Sequence, residues 1–118
     1  VSISHTRQYV VLALARGPFG VDIEVWSSRA LRLQQKFLSP DEVSLLHSIE
    51  AEKMAVRLWS AKESCYKYLD ISGLSLKNDI SLAQRDVQLE AHIIGMNNAV
   101  PIYYQDFPSF VLTWTKPE

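Results

Sequence analysis

Along the first part of the chain, apolar and polar positions alternate in short bursts. "VSIS" (1–4) and "YVVLALA" (9–15) are apolar and β-branched, and the polar "HTRQ" between them predicts two short strands or a hairpin. "GPFG" (17–20) is punctuation, and "VDIEV" (21–25) alternates again as a third strand. Phe19, Val21, Ile23 and Val25 hold the parity of a core face, which leaves Asp22 and Glu24 together on the other. The period then lengthens. Serines open "SSRALRLQQKFL" (27–38) and are expected to cap a helix. In "SPDEVSLLHSI" (39–49), Ser39 is the expected N-cap and Pro40 the first helical residue, with Asp41 and Glu42 near the positive end. From about 51 to 69, Met54, Leu58, Ala61, Cys65 and Tyr68 form an apolar stripe at helical spacing. After "DISGL" the alternation of strands returns in "DISLAQ", "DVQLEAHII", "VPIYYQ" and "SFVLTW". The expected class is α+β, one domain over 1–118, with an antiparallel sheet packed against a long helix.

Composition narrows the picture. Lysine plus arginine number 12 against 13 acidic residues, so no bulk attraction to nucleic acid or a membrane surface is expected. The single cysteine, Cys65, has no partner for an internal disulfide. No apolar run is long enough to span a bilayer and no signal-peptide pattern opens the chain. A cytoplasmic location is the default. The first residue is Val1, which fits loss of an initiator methionine or trimming from a longer chain, trimming being slightly favoured.

Carboxylates two apart on a strand stand roughly 6.6–7 Å apart along it. They can converge on one hard cation, and without one they repel. A solvated sheet face is the ordinary explanation, and for an isolated D-x-E it would prevail. The long helix alters that balance. Its "WSAKESCYK" places Trp59, Glu63 and Lys67 on one face at steps of four. Glu63 and Lys67 alone would read as an everyday helical ion pair. Offered to the D-x-E strand, a third carboxylate beside a lysine instead makes the kit for a metal–phosphate site.

"VSISHT", "GVDIE" and "WSAKESCYK", in this order, resemble the 4′-phosphopantetheinyl transferase superfamily, in its surfactin-synthetase-activating type. That type carries a serine–histidine block, then G-[IV]-D-[IV]-E, then W-[ST]-x-K-E-x-x-x-K. The spacer "KFLSPDEVSLL" resembles its phenylalanine–serine–x–x–glutamate segment. The smaller holo-synthase type places the histidine block after the other two. The resemblance implies transfer of the phosphopantetheine arm of coenzyme A to a serine of an acyl or peptidyl carrier protein, with release of adenosine 3′,5′-bisphosphate. Carried over by motif, Asp22, Glu24 and Glu63 would bind magnesium on the pyrophosphate, and Glu63 would be the base for the carrier serine. Lys67 would contact the phosphates, Lys62 is a weaker candidate for the same work, and His5 with Ser4 would contact coenzyme A phosphates. Arg29, Arg32 and Lys36 would form a basic face on a short helix; a solvated surface explains them too, and an acidic carrier helix would dock there.

Other residues read plainly. His47 and His92 are expected as surface or half-buried histidines, Trp59 as packing, and Cys65 as a buried structural thiol. Members with this block order are typically about twice as long, built of two similar halves around a cleft, and this chain matches the second half. The other half normally supplies basic residues for the nucleotide end of coenzyme A, and the family's glycine-rich close after the helix is loosened here to "LDISGLSL". A trimmed chain, a half that self-assembles into a homo-oligomer, and a weakly active remnant are all open. Two classes of function follow: a magnesium-dependent transferase, and a non-catalytic module that binds coenzyme A, a carrier protein or its own copy. Retention of Asp22, Glu24, Glu63 and Lys67 favours the transferase, because burying three carboxylates without a metal is costly. A generic magnesium phosphohydrolase ranks third, as no water-activating histidine or further carboxylate accompanies the triad.

Overall fold

A computed structural model describes residues 2–6, 9–13, 19–46, 49–86 and 88–115. Strands β1 (Ser2–His5) and β2 (Val10–Ala13) pair antiparallel as the expected hairpin. β3 (Val21–Val25) leads to three short helices, α1 (Arg29–Arg32), α2 (Gln34–Phe37) and α3 (Pro40–Val43), and a 3-10 turn at Ser44–Leu46. The long helix α4 (Ala51–Leu69) follows, then β4 (Ile80–Arg85), β5 (Gln88–Ile93), β6 (Val100–Asp106) and β7 (Phe110–Thr115). These four join β3 in an antiparallel sheet of order β3-β7-β6-β5-β4.

The core lies between that sheet and α4. Leu58, Ala61 and Cys65 from the helix stripe meet Ile80, Leu82, Leu89, Ala91 and Ile102 from the strands, with Phe37 and Leu38 closing one side. Burial of this apolar area supplies the main folding drive. Two local expectations are corrected. The segment 27–38 is not one helix: it breaks at Leu33, and Ser28 makes no side-chain cap. Its first turn is instead met by Ser27, whose Oγ accepts the Arg29 N–H at 3.3 Å.

The second correction concerns the faces of β3. Paired residues share a face, and β3 pairs Asp22 with Thr113, and Glu24 with Val111. Thr113 is the residue that touches α4: its Oγ1 donates to Ser60 O at 2.9 Å and lies 2.8 Å from Ser60 Oγ. The acidic parity of β3 therefore faces the helix. Val21, Ile23 and Val25 turn to the far face opposite Trp114, Leu112 and Phe110. Val21 and Ile23 are buried there, whereas Val25 at the strand end is 44% exposed, contrary to its expected core place.

Small residues let α4 sit this close. A methyl group on Gly20 would fall 1.9 Å from the Ser64 carbonyl oxygen and 2.8 Å from the Tyr68 nitrogen, both backbone atoms of α4. Gly20 is also fixed from the sheet side, where its N–H donates to Thr115 Oγ1 at 2.7 Å and its carbonyl accepts the Thr115 N–H at 2.9 Å. Neither side has room to yield. Gly20→Ala is expected to cost about 1–3 kcal/mol through overpacking, read as a lower midpoint in urea unfolding; an unchanged midpoint would show that the helix and strand are not in this contact.

Candidate active site

The acidic cluster forms where β3 and α4 meet. Asp22 is 3% exposed, while Glu24 and Glu63 are half-buried at its sides. Two donors converge on one oxygen of Asp22. Ser4 Oγ donates to Oδ1 at 3.1 Å, and Lys67 Nζ donates to the same Oδ1 at 3.1 Å. The other oxygen, Oδ2, is buried and meets no N–H or hydroxyl donor.

The electrostatics are those of a site short of positive charge. Burial, then repulsion by Asp22, a hydrogen bond to Asp22 and repulsion by Glu63 push the Glu24 carboxyl up to about 8; a Trp59 side-chain hydrogen bond works against them. Glu63 is raised by burial and by Asp22, with Lys67 pulling it back down. With no cation beside it, Glu24 therefore keeps its proton well above the usual carboxylate range. Among the described residues no three acidic, histidine or cysteine side chains are already closed into a metal cage. The donor set nevertheless fits a hard divalent cation: three carboxylates, one of them presenting a buried oxygen with no partner, are what such ions take.

Of the residues expected at coenzyme A, Lys62 lies elsewhere. Lys62 is fully buried on another side of α4, where Nζ donates to Glu42 Oε1 at 2.7 Å, Leu76 O at 2.6 Å and Ile80 O at 2.7 Å. Burial lowers its pKa and Glu42 counters this, so Lys62 holds the core together and has no N–H left for phosphate. Ser4 is buried and its hydroxyl is turned to Asp22. Lys67 keeps its place beside the cluster, but its Nζ is engaged by Ile3 O at 3.2 Å, Val21 O at 3.1 Å and Asp22.

His5 is exposed at the end of β1, and Arg29, Arg32 and Lys36 are exposed on α1 and α2. A cleft of about 270 Å³ runs from Glu24 over Phe37, Val56 and Trp59, with Arg29 and Lys36 on its rim. Trp59 packs edge-on to Phe37, with ring centroids 5.1 Å apart. Cys65 is fully buried and burial pushes its thiol up to about 12, which removes it from chemistry. His92 is exposed on β5, and His47 lies outside the described residues.

Sequence reasoning missed the part of Glu42. Besides Lys62, it accepts the Ser39 N–H at 2.8 Å and the Leu82 N–H at 2.7 Å, so α3, α4 and β4 meet on one carboxylate. It also missed the strand-edge serines. Val21 N–H donates to Ser2 Oγ at 3.0 Å and Ile23 N–H to Ser4 Oγ at 2.9 Å. The signal was available: "SIS" places two hydroxyls at the strand period, matching the alternate free N–H groups of β3.

The class is thus a helix-on-sheet α+β domain with an acidic cluster at the seam. The profile of the 4'-phosphopantetheinyl transferase superfamily matches residues 18–113, and the chain belongs to that superfamily. It is similar to the Bacillus subtilis 4'-phosphopantetheinyl transferase ffp, 38% identical over 81 residues, and to the 4'-phosphopantetheinyl transferase Sfp of Bacillus subtilis strain 168, 35% identical over 81 residues. Each match covers 66% of this chain and 36% of the relative, so the chain spans about a third of the length of these curated relatives. Among solved structures it resembles a holo-(acyl-carrier-protein) synthase from Bacillus anthracis in complex with CoA (3',5'-ADP), with TM-score 0.66, 15% identity, and 83% and 92% of the two chains covered. The holo-ACP-synthase of Plasmodium yoelii is similar too, at TM-score 0.62 and 19% identity, covering 83% and 91%. These likenesses are of fold. No helix among the described residues is long and apolar enough to cross a membrane.

Two expectations follow from the charges. Glu24 holds a proton in the folded chain between its ordinary 4.5 and about 8 that the unfolded chain releases. Metal-free stability therefore falls as pH rises through that window. Thermal melts in EDTA are expected to show the melting temperature dropping between pH 5 and 8, with Glu24→Gln flattening the slope; an equally steep slope in that variant would reject the assignment. Lys62→Met strands Glu42 as a buried lone charge and is expected to destabilise by about 3–5 kcal/mol in urea unfolding. A near-neutral result would contradict the structural role.

Proposed function

We propose that this chain carries the catalytic acidic cluster of a magnesium-dependent transferase that moves the phosphopantetheine arm of coenzyme A onto a serine of an acyl or peptidyl carrier protein. The observation that carries the reading is the buried Asp22 oxygen left without a donor, with Glu24 and Glu63 near enough to feel the Asp22 charge, in a chain of this superfamily. A structural ion-pair network would have satisfied that oxygen.

Asp22, Glu24 and Glu63 would hold the cation, which when bound offsets charge on the pyrophosphate. Glu63 takes the proton of the carrier serine. Its pKa, raised by burial and by Asp22 and drawn back by Lys67, makes it a better base than an ordinary glutamate. The serine oxygen forms a bond to the phosphorus bearing the pantetheine arm, and the bond from that phosphorus to the bridging oxygen breaks. Adenosine 3′,5′-bisphosphate leaves with the electron pair. His5, exposed at the end of β1, would meet coenzyme A phosphate, and the exposed Arg29, Arg32 and Lys36 would meet an acidic carrier helix.

The test is mass spectrometry of an apo carrier protein incubated with the chain, coenzyme A and magnesium. One added phosphopantetheine arm is expected, and EDTA is expected to remove it. Asp22→Ala and Glu63→Gln are each expected to lower the rate by about 10²–10⁴-fold or more while circular dichroism stays native. Transfer at the normal rate by either variant would refute the assigned roles.

A further inference from the structure

Asp22 is held asymmetrically. Both described donors, Ser4 Oγ and Lys67 Nζ, reach Oδ1, and Oδ2 is left without a donor in a side chain only 4% exposed. Each donor is itself fixed. Ser4 Oγ accepts the Ile23 N–H at 2.9 Å, which aims its own proton away from the strand and toward Asp22. Lys67 is anchored on two backbone carbonyls, Ile3 O and Val21 O, one from each strand flanking the seam. The carboxylate therefore has one rotational setting in which both donors are satisfied.

From this geometry, and resting on the metal-site reading above, we infer that Ser4 and Lys67 are positioning residues that saturate Asp22 Oδ1 and present Oδ2 as the single, monodentate ligand oxygen. This work is done through Asp22. The serine is the more telling of the two. Without its hydroxyl, Oδ1 keeps only the lysine and the carboxylate is free to turn, so that the cation must fix it at its own expense. Residues that orient a metal ligand in this way typically matter about 10- to 100-fold in metal affinity.

Ser2 provides an internal control. Its Oγ accepts the Val21 N–H at 3.0 Å, the same strand-edge bond that Ser4 makes two residues on, and no bond from Ser2 to Asp22 accompanies it. The experiment is Mn²⁺ binding to the full chain, followed by electron paramagnetic resonance of the free ion, with metal-free melting temperatures measured in parallel. Ser4→Ala and Ser2→Ala are expected to lose similar stability, since each strands one N–H. Only Ser4→Ala is expected to weaken Mn²⁺, by about 10- to 100-fold, and Ser4→Thr, which keeps the hydroxyl, is expected to restore most of it. If Ser4→Ala does not fold, Lys67→Met removes the other donor to the same oxygen and is read identically. Equal weakening by Ser2→Ala and Ser4→Ala, or none by Ser4→Ala, overturns the positioning role while leaving the metal site standing. Absence of Mn²⁺ binding in the unaltered chain, or full binding by Asp22→Asn, overturns the metal site and this inference with it.

Discussion

Everything at the seam depends on how closely α4 lies on β3 and β7. Gly20 sits so near the helix backbone that no side chain fits between them. Next to it, Ser60, Ser64 and Thr113 replace apolar packing with short hydroxyl contacts, Thr113 Oγ1 reaching Ser64 Oγ at 3.2 Å and Ser60 O at 2.9 Å. Such buried hydroxyls are tolerable because each finds a partner. The result is a seam thin enough for carboxylates on a strand and a carboxylate on a helix to sense one another. A bulkier seam would have kept Asp22 and Glu63 as separate surface charges.

The same chain treats two buried acids in opposite ways. Glu42 has every demand met: Lys62, the Ser39 N–H and the Leu82 N–H occupy both its oxygens. That network is closed, and it fixes where α3 and β4 stand relative to α4. Asp22 has one oxygen occupied and one abandoned. A buried, unsatisfied polar atom costs about 1–3 kcal/mol, and the folded chain carries that cost beside two further carboxylates. A fold able to satisfy Glu42 so completely shows that the half-open state of Asp22 is not a failure of packing. It is the state that the proposed ligand oxygen would have before an ion arrives.

Much of this was legible in the sequence because period and chemistry coincide there. The hairpin, the long helix and the four returning strands follow from alternation and the apolar stripe, and the acidic trio from D-x-E and the glutamate of the helix. What escaped was set by contacts far apart in the chain. Which face of β3 meets the helix is decided by its register with β7, about ninety residues later, and no local pattern around Val25 encodes it. The break at Leu33 left no glycine or proline to announce it. Lys62 was misread as a phosphate ligand through nearness to Glu63, although neighbours on a helix point about 100° apart. Glu63 and Lys67, four apart, share a face, and the structure keeps that pair together at the seam.

The positive charge near the carboxylates is largely committed inside the fold. Lys62 is consumed by Glu42 and two carbonyls, and Lys67 by Asp22 and two more. A further cation, Arg57, lies against Trp26 and Tyr104 and is bound to Asp106, well inside its own cluster. A pyrophosphate approaching Asp22 would add negative charge to a seam that already raises the pKa values of Glu24 and Glu63 by mutual repulsion. Lysines spent on backbone carbonyls cannot offset it without unmaking the strand contacts that aim Asp22. On the proposed reading, electrostatics would favour a divalent ion entering before the phosphate or together with it, because the ion would offset the repulsion among the same three carboxylates.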